Sequence, residues 1–132
     1  MQSRHLIAAG AFLMLLAVAL GAFGAHALKA RLSADMLAIW HTAVLYHMVH
    51  ALGCIAIGIL MPRYPQQSNK IALAGDLMLI GILVFSGSLY LLAFTEQRWL
   101  GAITPIGGVA FLAAWGMLGW VVWRGGDDLG LK

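Results

Sequence analysis

The stretch MLAIWHTAVLYHMVHALGCIAIGILM, residues Met36–Met61, decides how this chain is read. It holds no Asp, Glu, Lys or Arg, and it is longer than the about 20 helical residues that cross a hydrocarbon core of about 30 Å. It also lacks the strict alternation that a barrel strand needs. In lipid every backbone polar group must be satisfied within the segment or by a neighbour, and a helix does this alone. Residues Met36–Met61 therefore read as a transmembrane helix.

Three further runs have the same character: Leu6–Ala27, Ile71–Phe94 and Ile103–Trp123. Among their residues Asp76 is the single formal charge. The links Lys29–Asp35, Pro62–Lys70 and Thr95–Ala102 are short, which favours antiparallel neighbours. The expectation is one all-α domain over residues 1–132, an integral membrane bundle of four transmembrane helices. Arg4 before the first run and the small-x-small triplet Ala25-His26-Ala27 imitate a secretory signal, but the apolar run of about 18 residues is longer than a signal core. It is read as a permanent helix.

Composition agrees. Of 132 residues 62% are hydrophobic and 10% charged, whereas a soluble domain carries about 25% charged residues. The net charge of +3 comes from eight basic and five acidic residues, scattered at segment ends. With no basic stripe, nucleic acid is not an expected partner. Cys54 is the lone cysteine, so no intrachain disulfide can form. Arg4, Arg63, Lys70, Arg124 and Lys132 fall on one side of an even-span topology, and Lys29, Arg31 and Arg98 on the other. The positive-inside rule then makes both termini cytoplasmic. Trp40, Tyr64, Trp99 and Trp123 stand at span ends, where interfacial anchors are expected. Shifting the first half by 62 residues aligns Phe23 with Phe85 and Thr42 with Thr104, but the identities between are too few to define a repeat.

At about 100° per residue, Trp40, Ala43, His47, His50, Cys54 and Ile57 form one stripe of the second helix, with His41 opposite. His47, His50 and Cys54 imitate part of a metal site. No further ligand stands at matching depth, so hydrogen-bonded structural histidines are the preferred reading. A bis-histidine haem would need a partner for His50, and His26 is the available one. His26 stands at the outer end of the first run, whereas His50 lies about 20 Å below the start of its own run at 1.5 Å per residue, and His41, which matches that height better, points away from the stripe. No metal or cofactor is expected. Asp76, early in the third run, is read as reaching the interface and complementing the helix dipole.

Ala17, Gly21 and Ala25 form a ladder of small residues suited to close helix approach. Ser86-Gly87-Ser88 gives the third helix a thin, hydrogen-bonding face. Thr104 as N-cap with Pro105 in the first turn reads as a helix start, and Gly107-Gly108 leaves backbone room beside it. With cytoplasmic termini, these segments converge in the outer half of the membrane. His26, Tyr46, His50, Ser86, Ser88, Tyr90 and Thr104 are accordingly the candidate ligand-binding residues, expected to line one polar cluster.

Gly21-Ala22-Phe23-Gly24-Ala25-His26, Trp40-x-Thr42-Ala43-x-x-Tyr46 with His50-Ala51, Phe85-Ser86-Gly87-Ser88-Leu89-Tyr90 and Thr104-Pro105-x-Gly107-Gly108 occur in order along the chain. Together they resemble a family of small bacterial inner-membrane proteins grouped as a domain of unknown function, with a small eukaryotic transmembrane relative. The resemblance implies a four-span protein of the cell inner membrane and supplies no activity, substrate or cofactor. The family pattern usually has Gln at the place of His47, which implies that His26, Tyr46 and His50 are the better candidates for a shared role.

Three functions compete. The leading one is a non-enzymatic membrane protein that binds a lipid-like small molecule or a partner helix through the outer-half cluster. The alternative is an oligomeric small transporter or proton-conducting protein using His50, Tyr46 and Asp76, although four spans with no broken helix make a poor self-contained transporter. An enzyme ranks third, for want of a nucleophile-base arrangement or a phosphate loop. Membrane lipids are expected partners, and a homo-oligomer is an open arrangement. Orientation is directly testable. Cysteines introduced at the amino terminus and at Gln67 should resist an impermeant thiol reagent in intact cells, and one at Ala34 should react; the reverse pattern means an inverted protein.

Overall fold

The computed structural model describes residues 1–125, all of whose regular elements are helical. Lys132, counted above for orientation, lies outside the described residues. Helix α1 covers Ser3–Phe23 and α2 Ala34–Leu60. Then come α3, Ser68–Gly81, and α4, Gly87–Thr95. Last is α5, Thr104–Gly125. Four spans result, Ser3–Leu28, Ala34–Arg63, Pro65–Thr95 and Arg98–Gly125, each long and apolar enough to cross a membrane. The expected spans are all present, extended at both ends by caps and short turns.

Local chemistry sets the boundaries. Ser33 is extended, and its Oγ accepts from the Met36 amide at 3.2 Å, which starts α2. Asp35 in the first turn complements the dipole. At the other end of α4, Glu96 adopts a left-handed conformation with φ 55°, and its amide donates to the Leu92 carbonyl. This closes the helix and turns the chain toward α5.

Two segments depart from α geometry. Gly24–Leu28 and Ile82–Ser86 are π-helical. The second lies between α3 and α4, so the third span is interrupted by a wide turn, contrary to the uninterrupted helix expected from the sequence. A π turn carries one residue more than an α turn and rotates the residues after it. Here the Phe85 backbone lies against Gly107 of α5, where a Cβ would collide with it.

The spans pack in sequence order, α1 on α2, α2 on the third span, and the third span on α5. On α2 the buried residues include Trp40, Ala43, His47, His50, Cys54 and Ile57, while His41 is exposed. The stripe read from the sequence is the buried face. The α5 core positions Thr104, Gly107, Phe111, Ala114, Leu118 and Val121 alternate by three and four, as a left-handed bundle requires.

The small-residue ladder of α1 is shifted from the one expected. Ala17 is buried, but Ala25 is exposed and a Cβ on Gly21 would meet only Val44 Cγ1, at 3.3 Å. The tight points are Gly10, whose Cβ would come within 2.7 Å of the Ala51 carbonyl oxygen, and Gly24, whose Cβ would run into the Trp40 indole. Gly87 has nothing within 4 Å of such an atom, so the thin face expected at Ser86-Gly87-Ser88 comes from its serines. Trp40 is also no interfacial anchor. It is 2% exposed and its Nε1 donates to the Leu20 carbonyl at 3.0 Å. Tyr64 is buried against Gly125, whereas Trp99 and Trp123 are exposed at span ends as anchors should be.

Asp76 lies 3.9 Å from the N-terminal ammonium and its side chain is 40% exposed. The acid reaches the bundle end, in line with the interfacial reading. Ser3 Oγ donates to the Gly58 carbonyl at 2.6 Å, which fixes the start of α1 against the end of α2. Gly10→Ala should destabilise the protein by about 1–3 kcal/mol through overpacking. Gly116→Ala, at a site open for 4 Å around the new Cβ, should be neutral or stabilising by up to about 1 kcal/mol. Thermal melting in detergent checks both.

Candidate functional site

The polar residues inside the spans are distributed over separate contacts. Ser86, wholly buried, donates from Oγ to the Ala43 carbonyl at 2.8 Å and so ties the third span to α2. Ser88 and Thr104 share a hydrogen bond of 2.7 Å between hydroxyls. Ser88 Oγ also lies 2.9 Å from the Phe85 carbonyl, and Thr104 Oγ1 3.3 Å from the Leu100 carbonyl. Each hydroxyl has one proton, so one of the two donates to its carbonyl and accepts from the other. Thr104 thus joins α4 to α5, and the capping role expected of its side chain gives way to these bonds.

Tyr90 lies on the far side of α4, with its Oη 3.1 Å from His47 Nδ1 and its ring 4.7 Å from Trp40. His47 is 2% exposed, and its Nε2 is buried without a hydrogen-bond partner. The family pattern, with Gln at this place, favours His50 over His47 as a site residue. The signal for His47 is the shared stripe with Trp40, which places both in the seam between α1, α2 and the third span. His26 is exposed in the π turn after α1 and joins none of these groups. The single cluster expected from His26, Tyr46, His50, Ser86, Ser88, Tyr90 and Thr104 is therefore divided, and His26 leaves it.

Tyr46 and His50 form the remaining part. The His50 Nδ1 is 2.7 Å from the Tyr46 carbonyl oxygen. A carbonyl only accepts, so Nδ1 carries the proton, and in the neutral ring Nε2 presents a lone pair. The imidazole stacks on Phe111 with centroids 3.4 Å apart and planes 13° apart. Tyr46 stacks on Phe85 at 4.4 Å and is 18° from parallel with His50. Phe85, Phe111 and Trp115 are not among the residues expected to form the site, although Phe111 stands on the buried spacing of α5.

These rings floor a groove of about 440 Å³ between α2 and α5, walled by Pro105, Gly108, Val109, Leu112 and Trp115. A second hollow of about 350 Å³, bounded by Leu45, Val49 and the same Tyr46, His50 and Trp115, continues it along α2. Tyr46 is 39% and His50 5% exposed. Gly108 contributes space, since a Cβ there would meet only the Phe85 ring at 3.8 Å. The lining is apolar except for the tyrosine hydroxyl and the His50 imidazole. Among the described residues no group of three or more His, Cys, Asp or Glu is arranged to hold a metal.

Four long apolar helices with polar side chains tied mainly to backbone carbonyls define a multi-pass α-helical membrane protein. Residues 20–108 match the family described as protein of unknown function (DUF423), and the chain belongs to that family. It is 50% identical over 109 residues to the UPF0382 membrane protein YwdK of Bacillus subtilis, covering 83% of this chain and 88% of the relative. A UPF0382 membrane protein of Staphylococcus saprophyticus is also 50% identical, with the same coverage of both chains. One of Staphylococcus haemolyticus is 48% identical over 83% of this chain and 87% of its own length. No solved structure matches.

The His47–Tyr90 contact can be weighed by a double-mutant cycle. His47→Phe and Tyr90→Phe should each lower stability. The pair should lose about 0.5–1.5 kcal/mol less than the sum, the range for one net hydrogen bond; additive losses in melting experiments would mean no coupling.

Proposed function

We propose that this protein is a non-enzymatic protein of the cell inner membrane, with both termini cytoplasmic, that binds one lipid-like small molecule in the groove between α2 and α5. The observation that carries the reading is the groove itself. It is bounded by aromatic and aliphatic side chains, is open laterally, and has a buried imidazole at its floor. Ligand sites are typically apolar concavities of about 300–1,000 Å³ with few polar groups that set orientation, and this one has that composition and size. Ser86 ties the third span to α2, and the Ser88–Thr104 bond and the Gly107–Phe85 contact tie the same span to α5, so the third span sets the separation of the two walls.

Orientation rests on the distribution of basic residues, and inner-membrane placement on the family resemblance. The bacterial relatives are named membrane proteins. Asp76, which a proton path would recruit, is beside the N-terminal ammonium at the bundle end, so the binding reading is preferred to conduction.

A native mass spectrum of the protein released from mild detergent tests the proposal. The wild type should retain a bound small molecule, and Gly108→Trp, which fills the groove from its wall, should lose it while melting near the wild-type temperature. Equal retention by both would put the ligand elsewhere, and a wild type that emerges bare from lipid-retaining detergent would remove the proposal.

A further inference from the structure

We infer that the groove selects a neutral aromatic alcohol, a phenol or hydroquinone carried on an apolar chain, through the His50 Nε2 lone pair. This inference rests on the groove being a ligand site and goes on to its chemistry. The Tyr46 carbonyl holds the proton on Nδ1 at 2.7 Å, so the free nitrogen of the neutral ring accepts and does not donate. His50 is 5% exposed, within α2 and well away from either end of that helix. At such depth a charged ligand group is costly, and the matching group is a neutral donor. A hydroxyl meets that requirement; a ketone, an ether or a bare acyl chain leaves the lone pair without a proton.

The surrounding rings choose the shape. Tyr46, His50 and Phe111 lie within 31° of mutually parallel, and Trp115 stands beside the imidazole at 6.1 Å. A flat ring adds to such a stack at favourable offset distances, where a branched aliphatic alcohol cannot. The lateral opening between α2 and α5 leaves the chain of the ligand among lipid tails. An ordinary phospholipid, with its polar group at the surface, brings no donor to the level of His50.

The probes are a decyl-substituted hydroquinone kept reduced, its dimethyl ether, the matching quinone and decyl alcohol, titrated against the whole protein in detergent with bound species counted by native mass spectrometry. The hydroquinone should bind the wild type about tenfold more tightly than the ether and the quinone, as one hydrogen bond of about 1.4 kcal/mol dictates. His50→Phe, which keeps a stacking ring and removes the lone pair, should bind all three alike and at the ether's affinity. Equal binding of the three by the wild type would overturn the inference while leaving the groove a site for apolar chains. Decyl alcohol binding as tightly as the hydroquinone would overturn its aromatic part. Hydroquinone binding that survives Gly108→Trp unchanged would overturn both the inference and the reading on which it rests.

Discussion

Each helical carbonyl oxygen has two lone pairs and commits one of them to its own helix, and this structure depends on the use of the other. Ser3, Trp40 and Ser86 donate to Gly58, Leu20 and Ala43, and each bond crosses from one span to another. In hydrocarbon there is no water to take a polar hydrogen, and an unpaired hydroxyl or indole N–H costs several kcal/mol. Side chains that would otherwise weaken a membrane helix thus become its points of attachment. His50 uses the same resource within its own helix, at the Tyr46 carbonyl, and the local bond fixes which of its nitrogens faces the groove.

Close approach is the second requirement, because lipid tails are as apolar as the side chains and supply no hydrophobic drive for helices to associate. Contacts must come from shape. Gly10 against Ala51, Gly24 against the Trp40 indole and Gly107 against the Phe85 backbone are places where a missing side chain on one helix receives the bulk of another. Where α2 and α5 face each other, rings meet rings, as at His50 and Phe111. The two helices then stand apart above those rings, and the groove is the space that results.

The four spans were legible because, in a chain this short, a hydrocarbon environment is what keeps charge out of run after run of about 20 residues. The buried face of α2 was legible because Trp40, His47, His50 and Cys54 keep one spacing. Depth along a helix was legible too, but the angular position on a neighbour was not. Ser86, Ser88 and Tyr90 share a membrane level yet face α2, α5 and the His47 seam respectively. A residue count cannot show the wide turn at Ile82–Ser86, which alters the phase of everything after it. Depth alone groups His26 with these residues, and it is exposed. Trp40 illustrates the same limit, since its place near a span end suits an anchor, and only the neighbouring Gly24 makes room for it in the core.

The wide turn also constrains how this sequence can drift. One residue removed from Ile82–Ser86 would restore ordinary helical phase and rotate α4 by about 100° relative to α3. Ser88 would leave Thr104, and Tyr90 would leave His47. One residue inserted would rotate it the other way. Conservative exchange of Ile, Leu or Val within the segment leaves the phase untouched. Beside Phe85 and Ser86, whose contacts fix their identity, length at this place is therefore under stronger selection than identity, and an alignment of homologous chains should show substitutions at Ile82, Leu83 and Val84 and almost no gaps. A gap at this point would mark the lineage in which the partners of α4 have been exchanged.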